Sequence, residues 1–270
     1  MRHVYVISLF LILLPTRLLG APEFVADKDS GLRRDAPVSL KEAVREITDG
    51  DTLVLDNGTV VRLVGIQAPK LPLGRPGFKP WPLAEEAHKA LQEITRGRAV
   101  QMRFGGARQD RHRRTLAHLY RQPDGLWIQG EMLRLGMARV YTFSDNRALV
   151  TEMLALEGEA RAARRGIWEL PYYSVRSPAE LNGLIDSFQI VQGKVLKFAK
   201  ISDYIFLNFG ADYKTDFTAV IERRDWARFK AAGIDPRSYE GRIIRVRGWL
   251  DNWNGPMLRV SHPEQIEVLE

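Results

Sequence analysis

The chain contains no cysteine, and its five histidines are scattered. Disulfides, thiolate nucleophiles and Cys-based zinc sites are therefore excluded, although a cysteine-free chain is compatible with an oxidising compartment. Also missing are a Walker loop, a GxGxxG fingerprint, a GxSxG elbow and an HExxH helix. The common nucleotide-binding, serine-hydrolase and zinc-protease chemistries have no foothold here. What is present is a 270-residue chain with 45% hydrophobic content, enough for one large or two small domains with real cores. The formal charge of +7 falls to about +5 if Arg2 and Arg17 leave with an N-terminal leader. That balance favours polyanionic partners such as nucleic acid or anionic envelope surfaces.

Residues 1–20 read as a signal peptide: Met1-Arg2-His3 is a short positive start and Val4 to Leu14 an apolar run too short to span a bilayer comfortably. Arg17 and Leu18 sit awkwardly before the cleavage expected near Gly20 or Ala21, so an uncleaved N-terminal anchor is the alternative. Either way export is expected, to a secreted or periplasmic location or to a membrane-anchored one. Beyond that signal or anchor no transmembrane domain is expected. Residues 21–39 are polar, proline-bearing and aperiodic, and read as a linker.

The stretch from Asp49 to Lys70, DGDTLVLDNGTVVRLVGIQAPK, organises the next region. Asn57-Gly58 between two apolar runs predicts a β-hairpin. On its return strand Arg62 shares a face with Val60 and Val64, so its charge needs an anion, either Asp51 as an ion-pair partner or a bound phosphate. After a proline-rich loop at 71–82, the spacing predicts a helix from Pro82 to Gly97, strands at Ala99–Phe104 and Thr115–Tyr120, and helices at Trp127–Ala138 and Arg147–Ile167, the last capped by Asp145 or Asn146. The loop GGARQDRHRR crowds Arg108, Arg111, Arg113 and Arg114 beside a single acid, Asp110, which suits contact with phosphates. His112 and His118 flank Arg114 and are candidates for acid assistance or for a plain solvated role. Residues 40–170 thus read as a compact β-barrel with three helices packed on it.

Residues 171–187 form a connector with a short helix at Pro178–Ile185. From 188 to 270 strands are expected at Phe188–Phe198, Tyr204–Phe209, Asp216–Glu222, Arg242–Leu250 and Met257–Val260, with a helix at Arg224–Ala232. The fold class is mainly β with α: an OB-type five-stranded barrel with three helices, then a second, smaller OB-like barrel. In IIRVRGWL, alternation turns Ile244, Val246 and Leu250 inward and Arg245, Arg247 and Trp249 outward, which makes either a nucleic-acid platform or a decorated outer face.

The order and spacing of DGDTLVL, VRLVGI, QAPK, DRHRRTLAHLY, WIQGEMLRLGMARVY and ARAARRGIWE resemble the staphylococcal-nuclease (thermonuclease-like) family across residues 40–168. The resemblance implies an OB-type barrel and calcium-dependent cleavage of DNA and RNA phosphodiesters. It places Asp51 at the first metal aspartate and Arg62 and Arg114 at the two phosphate-binding arginines. Gln67 stands where the second metal aspartate is expected, Ala68 where a threonine is, and Lys70 where the glutamate base is. A glutamine offers a carbonyl oxygen but no charge, so calcium affinity should weaken. An ammonium at Lys70 is no base at neutral pH unless desolvated, and is expected to replace the metal's positive charge by pairing with Asp51 or by binding phosphate. Three readings follow: a nucleic-acid-binding protein with hydrolysis lost or reduced, an active nuclease with calcium or a rearranged site, and a non-catalytic cell-envelope interaction module. A monomer is expected, with DNA or RNA as partner and contacts at Arg111, Arg113, Arg245, Arg247 and Trp249.

Overall fold

The computed structural model describes residues 42–212 and 214–270. The expected leader and linker lie outside the described residues. In chain order the first unit holds β1 (Glu42–Asp49), β2 (Thr52–Leu55), β3 (Val60–Leu63), β4 (Ile66–Gln67), α1 (Ala84–Thr95), β5 (Ala99–Arg103), β6 (Thr115–Arg121), α2 (Ile128–Arg134), β7 (Arg139–Val140) and α3 (Val150–Ala162). Five of these strands close a barrel in the order β1-β2-β3-β6-β5, and β4 pairs separately with β7.

The hairpin forms where Asn57-Gly58 places it. Gly58 adopts φ 84°, a left-handed conformation that glycine reaches without a Cβ clash, and its N–H donates to Leu55 O at 2.9 Å. Alternation then turns Leu53, Leu55, Val61, Leu63, Ala117 and Leu119 inward with no exposed area, and Leu91, Met132, Leu133 and Met153 from the helices complete the core.

Two local expectations change, and one strand was not expected from the sequence. Strand β1 has no clean apolar alternation of its own and exists because β2 and β5 both pair with it. Helix α1 starts at Ala84, behind a left-handed Leu83, rather than at Pro82. Neither Asp145 nor Asn146 caps α3, because Asn146 Nδ2 donates to Ala107 O at 2.8 Å and ties its segment to the arginine loop.

The second unit contains β8 (Ser187–Lys194), β9 (Lys197–Ile201), β10 (Tyr204–Asn208), β11 (Thr218–Glu222), α4 (Trp226–Ala231), β12 (Ile243–Asn252), β13 (Pro256–Arg259) and β14 (Ile266–Val268). The single strand expected at Phe188–Phe198 is broken. Val195 N donates to Arg242 O at 2.9 Å and Leu196 N to Asn208 O at 2.8 Å, so the chain leaves β12 and joins β10 at that point. This bend, the parallel β11–β13 pair and the helix between β11 and β12 give the OB-like order. Among the described residues no helix is long and apolar enough to cross a membrane.

The two units share a third core, in which Phe188 and Ile190 from β8 pack against Ala160, Ile167, Trp168 and Tyr173. Arg247 belongs to this junction, which corrects its expected outward position. Its side chain is 2% exposed, and Nη1 donates to Glu157 Oε2 at 2.8 Å and to Val140 O at 3.3 Å. Alternation on β12 did turn Arg247 away from its own barrel, but the surface it meets is the first unit and not solvent. Thr142 Oγ1 and His262 Nε2, 2.7 Å apart, and the Arg147–Glu264 pair cross the same boundary.

Candidate functional site

Asp49 ends β1 and Asp51 precedes β2, so the intervening turn aims both carboxylates into one pocket under β4. Gly50 permits this turn: a Cβ there would lie 2.7 Å from Ala68 Cβ and 2.8 Å from Ala87 Cβ. Asp51 has no exposed area and Asp49 only 3%. Lys70 reaches back between them, its Nζ 2.6 Å from Asp51 Oδ2, 2.7 Å from Asp51 Oδ1 and 3.0 Å from Asp49 Oδ2. The backbone beneath Lys70 is held as well, since Trp81 N donates to Lys70 O at 2.9 Å.

Arg62 closes the cluster, with Nη2 3.2 Å from Asp51 Oδ2. The other hydrogens of its two terminal nitrogens go to carbonyls, at 2.6 Å to Leu63 O, 2.7 Å to Ile66 O and 3.3 Å to Asp51 O. Burial by itself would push the Asp51 carboxyl up. Arg62, Lys70 and the Ala68 N–H at 2.8 Å outweigh it and hold the group below the usual aspartate range. Two carboxylates thus face two cations in a self-neutralising cluster.

Gln67 is committed elsewhere. Strand β4 sets it opposite Arg139 on β7, and its Oε1 accepts from Arg139 Nε at 3.0 Å and Nη2 at 2.8 Å. Arg139 is a site residue that the sequence reading passed over; the available signal was a lone arginine inside the apolar GMARVY segment, the same signal that singled out Arg62. Burial pulls its guanidinium down to about 10, which still leaves it charged at neutral pH. The Phe188 ring of the second unit lies 4.4 Å from its Cζ, a cation–π contact that links Gln67 to the junction core.

Arg114 lies one residue before the parallel ladder that sets Thr115 beside Val61 and Leu116 beside Arg62. Its Nε and Nη2 both sit 2.7 Å from Asp110 Oδ2, and the same carboxylate accepts from the His112 and Arg114 N–H groups at 2.9 Å. Arg111 and Arg113 are exposed, and among the described residues neither reaches a carboxylate within 4.0 Å. Tyr141 shows how far the positive field extends: burial raises its hydroxyl, while Arg62, Arg139 and Arg111 all act to lower it. His118 takes no part. It is buried, accepts from Trp127 Nε1 at 3.3 Å, and burial pushes it down to about 3.

The structure therefore brings Asp51, Arg62 and Lys70 together and places Gln67 and Arg139 beside them, with the basic loop next along the barrel. It does not bring Arg245, Arg247 or Trp249 to this site. Arg245 donates to Glu267 and Gln192, Arg247 is interior, and Trp249 alone of the three is exposed.

The donor set does not fit calcium. A hard divalent cation needs several free oxygen ligands and a net negative cage. Here both Asp51 oxygens and one Asp49 oxygen already accept from an ammonium, and the Gln67 oxygen accepts twice from a guanidinium.

Residues 60–170 match the family described as staphylococcal nuclease homologue. Protein ParB of Escherichia coli is 35% identical over 143 residues, covering 49% of this chain and 75% of that protein. An uncharacterized protein of Bacillus anthracis is 28% identical over 158 residues, 57% of this chain and 70% of that protein. A probable staphylococcal-like nuclease, CAN1, of Oryza sativa subsp. japonica is 31% identical over 108 residues, 40% of this chain and 28% of that protein.

Proposed function

The chain belongs to the staphylococcal nuclease homologue family, and from that premise we propose that it is an exported protein that binds nucleic-acid phosphodiesters with hydrolysis lost or much reduced. The observation that carries this reading is the Lys70 ammonium, 2.6 Å from Asp51 and 3.0 Å from Asp49. Hydrolysis of a phosphodiester needs a group that takes a proton from water and a cation that bridges carboxylates and phosphate. Lys70 donates to two carboxylates there, where the reaction asks for a group that accepts. The same contacts occupy the carboxylate oxygens on which a bridging cation would sit.

Binding rests on the basic loop. Arg111 and Arg113 are exposed and reach no carboxylate among the described residues, Arg114 is 36% exposed at its side chain, and Lys70 and Arg62 in the cluster keep 20% and 13%. The planar forks of exposed guanidiniums match phosphate oxygens. Export rests on the leader read at residues 1–20.

The test of binding is fluorescence anisotropy of the mature protein with a labelled oligonucleotide across a salt series. Affinity should fall steeply with salt, and replacing Arg111 and Arg113 by alanine should reduce the log–log slope by about 2, roughly one for each lost phosphate contact. A slope near zero, or one that the double replacement leaves unchanged, contradicts the proposal.

A further inference from the structure

The loop between β4 and α1 carries Trp81 between Pro80 and Pro82, each of which fixes its own backbone torsion beside the indole. Trp81 N donates to Lys70 O at 2.9 Å, so this residue is tied to the one that fills the carboxylate cluster. The 3₁₀ turn Pro171–Tyr173 brings two more rings. Tyr173 Oη donates to Pro82 O at 2.7 Å, and the Tyr172 ring lies 6.1 Å from Trp81 and 4.7 Å from Tyr173. Arg139, which holds Gln67, packs against the same group, its Cζ 5.8 Å from the Trp81 ring and 5.6 Å from Tyr173. The turn follows directly on residues 60–170, so the pairing of Tyr172 with Trp81 draws on a segment outside the family match.

These rings are not all enclosed. Tyr173 is buried in the junction core, whereas Tyr172 is 47% exposed and Trp81 partly exposed. A ring held open to solvent while its neighbours are tied by hydrogen bonds is a pre-formed stacking face, which leaves a ligand little ordering to impose. A short chain of contacts leads from it to the basic loop: Trp81 to Lys70, Lys70 to Asp51, Asp51 to Arg62, and Arg62 to Leu116, two residues after Arg114.

The charges on the neighbouring chain fit a neutral occupant. Arg75 and Lys79 on the loop and Arg139 against the rings are matched by Glu85 and Glu86 at the start of α1 and by Glu169 just before the turn. What the rings offer is therefore their faces, while a ligand's negative charge is drawn to Arg111, Arg113 and Arg114. A nucleic-acid strand with unpaired bases carries both parts side by side, and flat neutral bases stack on aromatic side chains where cations hold the backbone. We propose that Tyr172 and Trp81 form a stacking subsite for a nucleobase of a single strand whose phosphates bind the basic loop. This rests on the phosphodiester-binding function of the first unit.

Fluorescence anisotropy of the mature protein with labelled oligothymidylate, and with an abasic oligomer of the same length and phosphate number, tests this. Oligothymidylate should bind about tenfold more tightly, the scale of one base stacked on an aromatic side chain. Tyr172→Ala should remove that preference while abasic binding and the salt slope stay as they were, since no phosphate contact is lost. Tyr172→Phe, which keeps the ring, should retain the preference. Equal affinity for the two oligomers, a preference that survives Tyr172→Ala, or an equal loss of both ligands in that variant would each overturn the proposal. The Arg111→Ala/Arg113→Ala protein separates the two levels. If it binds both oligomers more weakly while Tyr172→Ala keeps the preference, stacking alone fails; if it binds both undiminished, or if the parent binds neither, phosphodiester binding fails and the subsite with it.

Discussion

Replacing Arg247 by alanine should weaken the protein through the junction between its units. Arg247 holds Glu157, which has no exposed area, through contacts of 2.8 and 3.0 Å, and holds Glu267 at 2.5 Å. Removing one partner of a buried ion pair costs about 3–5 kcal/mol, because the other charge is left without compensation in a poor dielectric. Glu157 keeps two partners, the Val140 N–H at 2.6 Å and Arg161 at 3.0 Å, so the lower end, about 3 kcal/mol, is expected here. Urea unfolding followed by tryptophan emission gives the number. It should also resolve a second transition, since losing the Arg247 bridge uncouples the units. Adding Glu157→Gln, which removes the stranded charge yet still accepts from Val140, should recover about 1 kcal/mol or more as coupling between the two positions. A loss under about 1 kcal/mol with one unchanged transition would refute the view that this pair joins the units.

Lys70→Ala should cost about 2 kcal/mol, less than a fully buried pair because Lys70 is 20% exposed, and NMR titration should find the Asp51 carboxyl protonating at higher pH than in the parent. Acid should destabilise the fold well above the carboxylate range. His118 and His262 sit at about 3 and about 4 when folded, below their ordinary 6.5, so the unfolded chain binds more protons. Stability is therefore full above 6.5 and lost as pH falls from there towards 4, and thermal midpoints at pH 7 and pH 5 should differ in that direction, the difference shrinking in His262→Asn. Gly106→Ala should cost about 1–3 kcal/mol by denaturant unfolding, because the added Cβ would meet Asp145 O at 1.9 Å and break the tie between the arginine loop and the start of α3.

The barrel and its hairpin were legible in the sequence because turn chemistry and period-2 alternation act locally: Asn57-Gly58 and the pairs around it needed no distant partner. Strand β1 was not, since register shifts between Val44 and Glu46 and between Ile47 and Asp49 break the alternation of EAVREITD, which becomes a strand through β2 and β5. The Phe188–Phe198 break was hidden for a similar reason, as its cause is a change of pairing partner from β12 to β10. At the site, the positions of Asp51, Arg62, Gln67 and Lys70 could be read from motif spacing. Their bonding could not, because Arg139 lies 72 residues from Gln67 in the chain and Lys70 reaches Asp51 only after the barrel closes. The inside–outside pattern of β12 told correctly which residues leave their own core, and Arg247 shows that leaving one core is compatible with entering another.

On the proposed function, Lys70 and Gln67 stand where a base and a metal-binding carboxylate would, and supply neither role. Cleavage of single-stranded DNA and RNA, with calcium and with chelator, should be compared between the unmodified mature protein and its Gln67→Asp/Lys70→Glu variant. The account predicts little or no cleavage by the unmodified protein in either condition, and calcium-dependent cleavage appearing only in the variant. Robust calcium-dependent cleavage by the unmodified protein would contradict it.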